Sequence, residues 1–178
     1  MTVATEPLRI NLGCRRTRLP GYKNLDIRPE QDVDFVADAR DLSQFADGSV
    51  DELRASNIYE HVTIPESNAV LKEWARVLRP GGILWLSVPD FDFCVDIYLK
   101  SGRRMDEWLL FHMFGEQRHQ YQFHYAVYNW PLMRGMLHDA GFSDARRVDD
   151  LPGELKDASS HRDNRFNMRI ALNVKATK

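Results

Sequence analysis

Apolar and polar positions alternate in short runs over the first third of the chain, then settle into a helical period. Leu8, Ile10 and Leu12 alternate with Arg9 and Asn11, and the run stops at Gly13, which predicts a short strand followed by a glycine turn. Three more runs of strand length follow at 23–27, 33–37 and 50–55, each closed by polar residues. Acidic or glycine turns separate them, at Arg28-Pro29-Glu30, at Asp38 to Asp41 and at Asp47-Gly48. From Pro65 to Leu78 the spacing changes. Pro65 and Glu66 suit a first helical turn, and Val70, Leu71, Trp74, Val77 and Leu78 recur three and four apart. Arg79-Pro80-Gly81-Gly82 is expected to stop this helix and reverse the chain. Ile83 to Val88 is nearly continuous in apolar character, as in a strand buried on both faces of a sheet. Strand, helix, Pro-Gly-Gly turn and buried strand together make a crossover unit of a parallel sheet.

From Pro89 to His124 the pattern loosens into an aromatic- and histidine-rich stretch, expected as helices and loops outside the sheet. A helix over about 130–140 is closed by Gly141, Phe142 to Val148 reads as a strand, and Phe166 to Lys175 as a last one. With no convincing helix between these two strands, an antiparallel finish is expected. The prediction is an α/β fold: a mostly parallel sheet with helices on both faces, an antiparallel C-terminal strand, and an aromatic-rich cap insert at about 91–128 after the fifth strand. The 178 residues fit a single domain, 1–178, with no repeat or low-complexity linker to divide it.

Composition narrows the function classes. Hydrophobic residues make up 43% and charged residues 28%, ordinary for a folded globular chain. The net charge of −2 lacks the basic field of a general nucleic-acid binder. Arg15-Arg16-Thr17-Arg18 and Arg103-Arg104 are small basic patches that fit solvated surface or phosphate contact. Two cysteines, Cys14 and Cys94, exclude a disulfide framework and a multi-cysteine zinc site, and they fit reduced thiols in a cytoplasmic protein. No secretory leader and no apolar run long enough for membrane insertion is visible.

In order, Ile10-Asn11-Leu12-Gly13-Cys14, Gly21 to Ile27, Asp38-Ala39-Arg40-Asp41-Leu42, Ser49-Val50-Asp51, Tyr59-Glu60-His61, Arg76 to Gly82 and His138 to Phe142 resemble class I S-adenosylmethionine-dependent methyltransferases. The likeness is to the short bacterial type associated with polysaccharide and surface-glycan genes, and it covers roughly residues 8–148. It implies a Rossmann-like fold, S-adenosylmethionine as cofactor, and methyl transfer to a small-molecule or glycan-linked acceptor, with oxygen favoured. Cofactors of this kind bind at the carboxyl ends of parallel strands. Gly13 at the end of the first strand would let the ligand approach the backbone. Asp26 would accept from the ribose hydroxyls. Asp38 and Ala39 inherit the adenine edge. Gly13, Cys14 and Arg15 fall at the amino-acid end, and Ser56 and Asn57 line the methionine end.

The chain departs from the family where a second glycine is usual, two residues after Gly13. Arg15 stands there instead, able to keep the main-chain path with a negative φ and to contact the cofactor carboxylate. The departure supports an alternative, a non-catalytic methyltransferase-like protein serving as an interaction subunit. A base for an oxygen or nitrogen acceptor is expected at His61, then His124, then His119. The run from Phe114 to His124 resembles the family's acceptor-side Gly…Gln…His segment. No metal is expected, since His119 and His124 are five apart with no carboxylate at helical spacing. A nucleic-acid acceptor is disfavoured by the charge and by the absence of a base-flipping Asn/Asp-Pro-Pro-Tyr motif. Only seven residues precede the first expected strand, so the usual N-terminal helical cover must come from the cap or from a second copy in a homodimer.

Overall fold

The computed structural model describes residues 6–15, 18–153 and 157–178; residues 1–5, Arg16 and Thr17 of the basic run, and 154–156 lie outside the described residues. Seven strands form one sheet: β1 (Arg9–Leu12), β2 (Lys23–Asp26), β3 (Phe35–Val36), β4 (Val50–Ser56), β5 (Leu78–Pro89), β6 (Asp144–Arg147) and β7 (Ala171–Thr177). Their spatial order is β3-β2-β1-β4-β5-β7-β6. The first five pair in parallel, and β7 runs antiparallel to both β5 and β6. The order reverses between β1 and β4, and there the sheet leaves a crevice at the strands' carboxyl ends.

Register places the core. Ile10, Leu53, Leu84 and Ala176 stand side by side across four strands, as do Leu12, Ala55, Leu86 and Val174 one step along. All are buried in one cluster with Val70, Leu71 and Trp74 of α1 (Ile64–Val77) and Met133 and Leu137 of α4 (Trp130–Asp139). The predicted three-and-four spacing is therefore the buried stripe of α1. The Thr63 hydroxyl donates to Glu66 at its start, and Pro65 sits in the first turn, where it removes no needed donor. The alternate positions face the other way, and polar residues are buried among them: Asn11, Arg54, Ser87 and Asn173. Across that face runs the segment after β6, where the Asn173 side-chain amide donates to the carbonyls of Asp149 and Ser159.

The cap insert comprises α2 (Phe91–Lys100) and α3 (Glu107–Phe114), packed through Phe93, Cys94, Ile97 and Leu109. Three boundaries differ from expectation. Leu78 passes directly from α1 into β5, and Pro80-Gly81-Gly82 forms an irregularity within that strand, because Leu78 already pairs with Val50. The last strand begins at Ala171, five residues later than expected. Met168 and Ile170 pack on the cap cluster, and there the chain turns its backbone to the segment after β6, with an Arg162–Arg169 bridge and the Ile170 amide on the His161 carbonyl. The third strand is only Phe35–Val36, because Asp34 turns to accept from the Asn24 amide and Lys23.

Two glycines test this packing. A Cβ at Gly82 would lie 2.8 Å from the Arg79 carbonyl oxygen and 3.2 Å from that of Asp51, neither free to move, whereas one at Gly135 in α4 would meet nothing within 4 Å. Gly82→Ala should destabilise the fold by about 1–3 kcal/mol, and Gly135→Ala should stabilise it by about 0.8–1 kcal/mol. Urea denaturation of both variants checks the opposite signs.

Candidate functional site

A cavity of about 760 Å³ opens at the carboxyl ends of β1, β2 and β4, and of the site residues predicted from sequence Gly13, Cys14, Arg15, Asp26, Asp38, Ala39, Asn57, His61 and His124 line it, while His119 does not. The cap closes it from one side with residues between Glu116 and Tyr125, and Asp157 and Ala158 reach it from the segment after β6. Residues 110 positions apart thus meet because parallel strands deliver their loops to one edge.

Asp26 organises the wall. Its carboxylate is almost fully buried and accepts from the Arg15 amide at 2.7 Å, the Arg28 amide at 3.0 Å and Arg28 Nε at 3.4 Å. Its carbonyl accepts from the Ala37 amide. The glycine loop differs from expectation in two ways. The Gly13 and Cys14 amides both donate to the Leu25 carbonyl and the Arg15 amide to Asp26, so this short connection turns its donors inward onto β2. The space left by the missing Gly13 side chain is filled by the Ile58 side chain, which a Cβ would overlap. Arg15 has φ +50°, not the negative value expected. It takes the left-handed path that glycine takes at low cost, at about 1–2 kcal/mol for an L side chain.

Asp38 lies two residues past β3, its carboxylate gripped by Arg40 Nε and Nη2 at 2.7–3.1 Å. Burial pushes its pKa up, but those bonds outweigh it and hold the carboxyl below its usual range. The Ala39 carbonyl is fixed by Trp74 Nε1 at 2.8 Å.

The 3-10 turn Tyr59–His61, after β4, forms the opposite wall. Tyr59 stacks on Tyr128 and packs on Trp74, and its hydroxyl donates to the Ser67 carbonyl. Glu60 has no solvent exposure, and neither carboxylate oxygen has a partner in good hydrogen-bond geometry; burial pushes its pKa up to about 8, against the weaker opposing pull of its own backbone amide and of Asn57. His61 donates Nδ1–H to the Phe123 carbonyl at 2.8 Å, and the Tyr125 amide donates to the Glu60 carbonyl, so the cap is sewn to this turn from both sides. His124 donates Nδ1–H to the His112 carbonyl at 3.1 Å, and its ring lies 5.0 Å from that of His61. Burial lowers both histidine pKa values, His124 to about 4. His119 is exposed, accepts from the Tyr121 amide and does not line the cavity, so the third histidine candidate falls outside the site.

Sequence reasoning missed Glu60, and missed Arg54 with Asp157. Glu60 was read as part of a motif, with no signal that its side chain is buried. Asn24, Asn11 and Arg54 form a buried chain of hydrogen bonds across neighbouring strands, which ends on Asp157 at 2.5 Å. Burial raises Asp157, and its bonds from Arg54 and Ser159 more than reverse this. The alternation of polar residues in β1 and β4 was the available signal.

The strand order, with β7 entering antiparallel between β5 and β6, and the cavity at the switch point define the fold of the S-adenosylmethionine-dependent methyltransferases. The chain is similar to such a methyltransferase from Methanosarcina mazei, with a TM-score of 0.61 at 18% identity, covering 98% of this chain and 93% of that one. It is also similar to the 1,6-didemethyltoxoflavin-N1-methyltransferase of Burkholderia thailandensis, solved with 1,6-didemethyltoxoflavin and S-adenosylhomocysteine. There the TM-score is 0.57 at 15% identity, over 97% of this chain and 72% of that one. Residues 17–86 match the methyltransferase domain family. An arsenite methyltransferase of Aquipseudomonas alcaligenes is 30% identical over 139 residues, which is 78% of this chain and 34% of that protein. The chain thus spans about a third of that curated relative.

The left-handed Arg15 makes a direct prediction. Arg15→Gly should raise stability by about 0.5–1 kcal/mol, since relief of the strained φ exceeds the added entropy of the unfolded chain. Arg15→Val should lower it by about 1–2 kcal/mol, a β-branched residue being worse still at positive φ. Thermal melts of the two variants check the order.

Proposed function

We propose that this chain is a class I S-adenosylmethionine-dependent methyltransferase, one domain with its cap at about 91–128 over the acceptor side. Its acceptor is a small molecule or a glycan-linked group, with oxygen the favoured atom. Asp26 carries the reading. It is a buried carboxylate at the end of β2, set in the cavity wall and oriented by two backbone amides. A carboxylate offers about four acceptor sites, so with the long Arg28 Nε contact at 3.4 Å given up, two would be open to a ribose diol. The cavity volume suits a cofactor with an acceptor beside it.

The cofactor, when bound, supplies a methyl group already activated on a sulfonium, so the protein's share is largely positioning. Asp26 would hold the ribose, and Asp38 with Ala39 the adenine. Gly13, Cys14 and Asn57 would line the amino-acid end, where the Arg15 guanidinium meets the carboxylate that the inward-turned amides do not. At the acceptor end, both Nδ1–H groups are committed to carbonyls, so His61 and His124 present Nε2 to receive a hydroxyl proton. Tyr121 and Tyr125 of the cap, both lining the cavity, offer ring faces to a sugar.

The inward-turned loop amides and Arg15 favour a second reading, a non-catalytic interaction subunit. The arsenite chemistry named for the relative is not carried over: Cys14 lines the cavity and Cys94 does not, and burial pushes both thiols up to about 11. Both cysteines are free, which supports a cytoplasmic setting, and among the described residues no helix is long and apolar enough to cross a membrane. Exposed Leu110, Phe111 and Phe114 on α3 support a homodimer.

Calorimetric titration with S-adenosylmethionine and S-adenosylhomocysteine should give micromolar binding, weakened roughly 10- to 100-fold by Asp26→Asn, as expected for loss of a charged hydrogen-bond acceptor. No heat and no thermal shift at millimolar ligand would favour the interaction subunit. With an acceptor panel starting from sugars, His124→Gln should lower turnover by roughly 100-fold or more with S-adenosylhomocysteine affinity retained.

A further inference from the structure

We infer that Glu60, His61 and His124 form a binding site for a divalent transition-metal ion, with Zn²⁺ as the representative cation, on the acceptor side of the cavity. The inference stands on the geometry of this cluster and does not depend on methyl transfer. One carboxylate oxygen of Glu60 and one nitrogen from each imidazole lie within 4.8 Å of one another. The expectation of no metal site weighed His124 only against His119; the fold instead brings it to a histidine and a glutamate 63 and 64 positions earlier, by closing the cap onto the Tyr59–His61 turn.

Three features distinguish this set from an incidental cluster. The first is tautomer control. The carbonyls of Phe123 and His112 can only accept, so Nδ1 of each ring carries the proton and Nε2 carries the lone pair. An imidazole held by a carbonyl at one nitrogen and bare at the other is the arrangement of a metal-bound histidine. The second is Glu60. A fully buried carboxyl group with neither oxygen in a well-formed hydrogen bond is costly. A cation between it and the two rings removes that cost. The third is access, since all three residues line the cavity.

The ligand types select the metal. Two imidazoles and one carboxylate suit Zn²⁺ and neighbouring first-row ions, whereas Mg²⁺ prefers oxygen ligands and waters. Tetrahedral zinc with bonds near 2.0–2.2 Å needs ligand atoms about 3.4 Å apart, so small side-chain rotations bring these atoms into place. A cation here has a chemical consequence for any hydroxyl acceptor. Coordination lowers the pKa of a bound hydroxyl, so an acceptor hydroxyl held on the cation would give its proton to solvent water, the two Nε2 atoms being occupied as ligands.

The test is calorimetric titration of chelator-stripped protein with ZnCl₂, and with CoCl₂ followed by its visible d–d absorption. One equivalent should bind, with the intense bands of tetrahedral cobalt. Glu60→Gln and His124→Asn should each weaken binding by roughly 100-fold or more, and His138→Asn, an exposed histidine far along the chain, should leave it unchanged. MgCl₂ should give no comparable heat. Circular dichroism establishes that the variants are folded, and His124→Asn, on the cap, keeps the proposal testable should Glu60→Gln fail to fold. Absence of binding to the parent protein, or binding that both variants retain, would overturn the site. Titration of the same samples with S-adenosylhomocysteine separates the two readings: zinc bound without nucleoside leaves this inference standing and removes the methyltransferase, and the converse does the opposite.

Discussion

The turn that follows β4 fixes more of this molecule than its length suggests. Ile58 fills the space beneath Gly13 and so sets the glycine loop. Tyr59 is packed between Trp74 and Tyr128, which joins α1 to the end of the cap. The Glu60 carbonyl and the His61 ring bind the cap at Tyr125 and Phe123. Four successive residues thereby set both walls of the cavity and its cover. The constraint is steric and polar together, because the buried Tyr59 and Glu60 leave this turn few alternative ways to pack.

Asp26 is the counterpart on the other wall. Its carboxylate ties the loop after β1 to the loop after β2, and its carbonyl ties both to the start of the loop after β3. These connections are too short to hold helices, so hydrogen bonds to one carboxylate do the work that helix packing does elsewhere in the molecule. The left-handed Arg15 is a local cost of that economy of length, repaid by a charge-assisted bond at 2.7 Å. The opposite face of the sheet follows the same logic, with Asn24, Asn11, Arg54 and Asp157 satisfying one another where a helix would have required apolar side chains.

Among the buried polar groups without hydrogen-bond partners, those of Glu60 and Gln122 lie in the cavity wall. The Glu60 carboxyl is fully buried beside two half-buried imidazoles whose pKa values burial lowers. Unmet polar demand of this kind in a cavity wall marks a candidate place to meet a ligand.

Much of the architecture was legible in the chain itself, because its signals are local. The alternation around Ile10, the period through Val70 and Trp74, and the glycine after α4 are each set by the geometry of one element, and they fix which faces are buried. The place of Asp26 in the cavity wall was legible too, since the ends of parallel strands are where the crevice of such a sheet opens. The left-handed φ of Arg15 was not, because it depends on what its amide meets across the loop. Nor was the clustering of Glu60, His61 and His124, which requires the cap to fold back over some sixty residues. The sequence determined the strands, the helices and the edge of the sheet that carries the cavity, through periodicity and strand-end chemistry. Only the tertiary structure decided which polar groups lose water and which meet, because burial and proximity belong to the packed chain as a whole.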